Sequence, residues 1–137
     1  MKNIVLDTNC LLVCITTKSK YHNVWTAFLD EDFQLCVSNE IMNEYEEILA
    51  KRISPSFADM MIQIILNSEN VVFAHPRFRF NLITVDPDDN KFVDCAIVTN
   101  AEYIVSQDKH FNVLKKIDFP KINVIDIDTF SKMISIF

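Results

Sequence analysis

The chain has 137 residues and not one of them is glycine. Glycine enters left-handed backbone conformations at no steric cost, so its absence bears on every tight turn. Chain reversals must be built from Asn, Asp, Ser and Pro, which turn the backbone through side-chain hydrogen bonds or a fixed φ. Neither GxGxxG nor a Walker loop can be written in this alphabet, which excludes the glycine turns that cradle phosphates.

Half of the residues are hydrophobic. That fraction supports a real core and excludes a disordered or fibrous chain. The length fits one domain, expected to span residues 1–137. No apolar run approaches the roughly 18 residues of a transmembrane helix. In the opening MKNIVLDTN, Asp7 interrupts the apolar run too early for a signal peptide. A cytoplasmic protein with no membrane association is expected. Cys10 and Cys14 have the spacing of zinc ligands, but Cys36 and Cys95 form no second pair. All four sit in apolar surroundings and read as buried free thiols.

Short apolar runs alternate with helical periodicity. Ile4–Leu6, Phe33–Val37, Val71–Phe73, Tyr103–Val105 and Ile122–Ile125 are nearly continuous in apolar character, as buried parallel strands are. Helices are predicted over 22–30, over 39–52 with Ser38 as N-cap, and over 55–67 with Ser54 as cap and Pro55 in the first turn. Asp88 is read as the cap of a helix from 89 to about 100, and Asp128 as the cap of a final helix through 136. A shorter helix is expected near 110–116, and a surface loop from Ala74 to Asp88. This alternation predicts an α/β sandwich with a mainly parallel sheet.

In such a sheet, ligands collect beyond the carboxyl ends of the strands. Asp7 directly follows the first strand, and Asp108 lies three residues after Val105 with Ser106 between. If these strands are neighbours, both carboxylates meet above the sheet edge. Asp89 in the first turn of its helix can join them. So can Glu44, which borders the Ile41, Tyr45, Ile48 stripe, whereas Glu40, Glu46 and Glu47 point further away. Taken singly, each acid has a plainer role. Asp7 can cap the next helix, Asp88 and Asp89 can complement a helix dipole, and Glu44 and Asp108 can be solvated. Their joint arrangement is harder to explain that way. At an effective dielectric near 20, each like pair at about 4 Å costs around 4 kcal/mol. A cluster of this kind takes up protons or binds a cation. Carboxylates without His or Cys partners select Mg²⁺ or Mn²⁺, and such sites usually hydrolyse phosphoesters.

The residues resemble the PIN-domain family. IVLDTNCLL, with Asp7-Thr8-Asn9, is similar to the opening of PIN domains, and SNEIMNEYEEIL to their second block, with Glu44 at the acidic position. DPDDNKFVDCAIVTNAEYIVSQDKHF is similar to the third and fourth blocks, with Asp89 before the helix core and Asp108 after the strand YIVS. The DPDDNKF wording resembles the subgroup described as toxin components of toxin–antitoxin systems. That subgroup often has Gly and Thr near the fourth strand, where Asn100 and Ser106 stand here. Asp94 is an extra acid in the same helix, able to replace or support Asp89, although the family pattern favours Asp89.

The resemblance implies a three-layer αβα fold with a five-stranded sheet of order 3-2-1-4-5. It implies a Mg²⁺- or Mn²⁺-dependent ribonuclease in which Asp7, Glu44, Asp89 and Asp108 hold the metal. Asn9 and Ser106 would orient the carboxylates, as hydrogen-bonding neighbours of metal ligands do. It also implies an RNA substrate, a cognate antitoxin and a homodimer. Lys18, Lys20, Arg77, Arg79, Lys91 and Lys109 are candidate phosphate contacts, and His22, His75 and His110 are isolated in the sequence and assigned no catalytic role. A catalytically inactive interaction domain is one alternative. A haloacid-dehalogenase-type phosphatase is another, but it needs an aspartate where Asn9 stands. The net charge of −6 argues against a broad basic RNA-binding face. Two divalent ions would offset the four clustered acids.

Overall fold

The computed structural model describes residues 1–135. Its strands are β1 (Asn3–Leu6), β2 (Gln34–Val37), β3 (Val71–Phe73), β4 (Tyr103–Val105) and β5 (Val124–Ile125). Its helices are α1 (Thr8–Ile15), α2 (His22–Leu29), α3 (Asn39–Arg52), α4 (Pro55–Leu66), α5 (Asn90–Thr99) and α6 (Ile127–Ile134). Two 3₁₀ segments, Pro87–Asp89 and Lys109–Lys116, complete the order. All pairings are parallel and the strand order is β3-β2-β1-β4-β5, as the resemblance implies. The middle of the sheet is the driest part: Ile4, Val5, Ile104 and Val105 are fully buried. Parallel strands covered by helices read as continuous apolar runs for this reason.

The helix ends show how the chain turns without glycine. After α2, the Glu31 N–H donates to the Phe28 carbonyl (3.0 Å) and the Asp32 N–H to the Ala27 carbonyl (2.9 Å), with Glu31 at φ 62°. After α5, the Asn100 N–H donates to Ile97 (3.2 Å) and the Ala101 N–H to Ala96 (2.9 Å), with Asn100 at φ 53°. Both are Schellman turns, in which a left-handed residue satisfies the last carbonyls of a helix. Asparagine tolerates that conformation well; at Glu31 its steric cost is about 1 kcal/mol.

Five points differ from the expectations. Residues 8–15 form α1, although TNCLLVCI shows no helical periodicity. It is apolar almost throughout, with Val13 on the exposed face as well, so a period-3.6 stripe cannot be read. The cap near residue 88 is Asp86, which accepts from the Asp88 N–H (3.2 Å); Asp88 does not cap α5. The cap of α6 is Asp126, which accepts from the Thr129 N–H (2.7 Å), while Asp128 pairs with Lys132 one turn later (3.0 Å). Residue 136, expected in that helix, lies outside the described residues. β2 and β5 are shorter than expected at their N-terminal ends, and the segment near 110–116 is 3₁₀ throughout. The four cysteines are buried free thiols, and burial pushes Cys14 up to about 12, which keeps it protonated.

Candidate active site

The register of the two central strands starts the site. β1 and β4 align Leu6 with Val105, so the next residues, Asp7 and Ser106, stand side by side. The Asp7 N–H extends the ladder to the Val105 carbonyl (3.1 Å). The Ser106 hydroxyl donates to Asp7 Oδ2, and the Cys10 N–H donates to Asp7 Oδ1 (2.8 Å). Asp7 is therefore both the N-cap of α1 and a site residue; the two readings of it coexist. It is only 6% exposed, and burial raises its pKa against the hydrogen bonds from Ser106 and Cys10. Asp108, two residues on, adds to the rise. The same Ser106 oxygen accepts from the Asp108 N–H (2.9 Å), so one hydroxyl ties both carboxylate-bearing segments together.

α3 delivers the next acid. Ser38 caps the helix, accepting from the Ile41 N–H (3.3 Å). Two turns in, the buried Tyr45 hydroxyl donates to the Leu6 carbonyl at the end of β1 (2.5 Å). That bond seats α3 over the first strand and brings Glu44 to Asp7 and Thr8. The Thr8 hydroxyl donates to Glu44 Oε2. Glu44 is half-buried, whereas Glu40, Glu46 and Glu47 are exposed, as the helical wheel predicts.

The third acid comes from the 3₁₀ turn before α5. Asp89 and Asp108 meet at one imidazole: His110 Nδ1 lies 3.2 Å from Asp89 Oδ2 and 3.3 Å from Asp108 Oδ1, with Asp86 Oδ2 at 3.8 Å. Asp108 also caps its own segment, accepting from the His110 N–H (2.9 Å). Burial pushes the Asp89 carboxyl up to about 6; its bond to His110 works against this, and the charges of Asp108 and Asp86 add to it. Half-buried acids with like charges beside them favour either proton uptake or a cation among them.

Asp7, Glu44, Asp89 and Asp108 thus line one cleft of about 240 Å³, with Thr8, Asn9, Asp86, Asp88 and Arg52 around them. Asp94 is elsewhere. It is 3% exposed, accepts from the Phe80 N–H (3.2 Å) and shares a small crevice with Glu40 and Arg79. Burial raises its pKa against that bond. Its place is to hold the 74–86 loop, as Asn90 does by exchanging two hydrogen bonds with Ile83 (2.9 and 2.8 Å). Asn9 is exposed at the cleft rim and makes no hydrogen bond to a carboxylate among the described residues; Thr8 does that instead. Lys91 is not a phosphate contact, because it is buried against Glu44 and Asp88. Arg79 pairs with Glu40 (2.8 Å). Lys18, Lys20, Arg77 and Lys109 are exposed.

Thr8, Asp86 and His110 were not assigned to the site from sequence. His110 carries a signal in its spacing, two residues beyond Asp108, where a capped turn folds it back onto the acids. The donor set fits a hard divalent cation: the oxygens come from carboxylates held by hydroxyl and N–H donors. Asp86, Asp89 and His110 offer one ligand atom each within 4.8 Å of one another.

A family model for the PIN domain matches residues 3–110. The chain belongs to the PIN-domain family. No curated protein sequence matches it significantly. Solved structures share the fold at low identity. DNA-bound VapBC from Salmonella typhimurium has 17% identity and a TM-score of 0.65, over 93% of this chain and 99% of that one. VapC20 of Mycobacterium tuberculosis, a sarcin–ricin loop cleaving toxin, has 14% and 0.58, over 80% and 92%. The PIN domain endonuclease Utp24 has 17% and 0.52, over 90% and 84%. Against the PIN pattern, Ser106 fills the threonine place with its hydroxyl bonded to Asp7.

Proposed function

We propose that this PIN domain is a Mg²⁺- or Mn²⁺-dependent endoribonuclease, acting in the cytoplasm as the toxin of a toxin–antitoxin pair. One observation carries the reading. Asp7, Glu44, Asp89 and Asp108, from four separate parts of the chain, line a single cleft at the carboxyl end of the sheet. Fold neighbours that are toxins in complexes, or endonucleases, support the same choice. None of the described helices is long and apolar enough to cross a membrane.

Asp7, Glu44, Asp89 and Asp108 form the acidic cleft in which a divalent ion would be held. A bound divalent ion supplies an activated water and offsets charge on the phosphate and its leaving oxygen. The rest falls to the chain. Ser106 fixes Asp7, and through its oxygen the Asp108 backbone. Thr8 fixes Glu44. His110 bridges Asp89 and Asp108. The cleft's carboxylates alone would repel substrate phosphates, so a bound cation would have to offset their charge. A cognate antitoxin and a homodimer follow by analogy with the toxin complexes.

The test is RNA cleavage in Mn²⁺, in Mg²⁺ and in EDTA, with wild type and Asp7→Asn compared. Metal-dependent internal cleavage that the substitution abolishes supports the reading. Cleavage that persists in EDTA or in Asp7→Asn overturns it. Turnover of a small phosphomonoester without RNA cleavage would point to a phosphatase. Partner capture with neither activity would point to an inactive interaction domain.

A further inference from the structure

One buried charge stands behind the cleft wall, against two of its acids, and it is a cation. Lys91, in the first turn of α5, is 7% exposed. Its ammonium lies 2.8 Å from Glu44 Oε1 and 3.0 Å from Asp88 Oδ1, and donates to the Asp88 carbonyl at 2.7 Å. These three contacts match the three protons of an ammonium. The Nζ also stands 5.2 Å from the centre of the Phe92 ring. A lysine is seldom buried this deeply unless it is paired, and here every donor is used.

The effect on the acids is unequal. Glu44 is engaged on both oxygens by groups of this chain, Thr8 on one and a full positive charge on the other. Asp7 is held only by neutral donors, Ser106 and the Cys10 N–H. Asp89 and Asp108 share the imidazole of His110. A divalent ion on Glu44 would therefore sit within a few ångströms of an ammonium that cannot swing away. At a separation of a few ångströms such repulsion persists through partial solvent screening. An ion on Asp7, Asp89 and Asp108 meets no fixed ammonium, only the half-exposed imidazole of His110.

We infer that Lys91 is the built-in second cation of the centre: it stands on Glu44 in place of a second divalent ion, so the site takes one ion, on Asp7, Asp89 and Asp108. This rests on the metal-dependent reading above and narrows it. A cation fixed to the scaffold is preorganised and needs no recruitment from solution. It also accounts for a lysine buried against Glu44, one of four acids expected to need two divalent ions.

The test counts Mn²⁺ bound to the full chain without RNA, by calorimetric titration and by the electron paramagnetic resonance signal of free Mn²⁺. Wild type is expected to bind one ion, Asp7→Asn none, Lys91→Arg one and Lys91→Met two. Circular dichroism checks that each variant is folded. Should Lys91→Met not fold, the neutral Lys91→Gln, which keeps a donor toward Glu44, carries the same expectation of two. Two ions in wild type would overturn the inference and leave the nuclease reading standing. One ion in a folded, neutral Lys91 variant would overturn it as well. No ion in wild type would overturn both readings.

Discussion

Replacing Asp89 with asparagine is expected to stabilise the metal-free protein at neutral pH. The carboxyl lies between Asp108 and Asp86, shares His110 with them, and burial pushes it up to about 6 from 3.8. A folded-state pKa above the unfolded value means the folded form holds its proton longer. The contribution to stability is then full below about pH 4 and is lost as pH rises through about 6. Two pKa units correspond to about 3 kcal/mol, an upper bound. Solvent in the open cleft screens part of this, which leaves about 1.5 kcal/mol. Asparagine keeps the shape and an acceptor for His110 but carries no charge. Urea unfolding in EDTA, followed by circular dichroism, should show Asp89→Asn about 1.5 kcal/mol more stable at pH 7.5, equivalent to about 5 °C in Tm. At pH 4 the gain should fall to about a fifth of that, since the aspartate is then largely protonated in the native state. A variant that is less stable than wild type at pH 7.5, or whose gain is equal at both pH values, would refute the crowding argument.

Three further outcomes follow from single contacts. Ser106→Ala removes the hydroxyl that bonds both Asp7 and the Asp108 N–H; it should cost about 2 kcal/mol by urea unfolding, and cleavage should fall 10- to 100-fold or so. Glu31→Gly relieves a left-handed glutamate at φ 62°, and should raise stability by up to about 0.5 kcal/mol in thermal melts after the entropy of glycine is subtracted. Asn90→Ala breaks the buried exchange with Ile83; it should cost about 2–3 kcal/mol, and limited proteolysis should shift to cuts within 77–86.

Much of the fold is legible in the residues because parallel strands are continuous apolar runs and Ser38 and Ser54 are strong caps. α1 is hidden because its sequence is apolar on every side, so its period is lost. The caps near 88 and 128 are displaced by two residues because Asp86 and Asp88, and Asp126 and Asp128, are equally good candidates locally; only packing chooses between them. Four acids could be gathered from strand ends and one helical wheel. What surrounds them could not. Nothing in Lys91 as a letter says that it turns inward, since the partners that make its burial possible lie at Asp88 and, across the fold, at Glu44. Asp94 and Asp89 sit in one short stretch, yet a half-turn of helix and the 3₁₀ start send them to different sides. Thr8 replaces Asn9 as the orienting group because α1, once formed, points residue 8 inward and residue 9 out.

The central claim is that these carboxylates hold a divalent ion that works on RNA phosphate. Crystals grown with Mn²⁺ and a non-cleavable RNA oligonucleotide, measured for anomalous scattering, test it most directly. The account predicts a peak within bonding distance of the Asp7, Asp89 and Asp108 carboxylates, with a phosphate oxygen on its open side. A peak only outside the cleft, or one on Asp86 and His110 with the phosphate elsewhere, would contradict it.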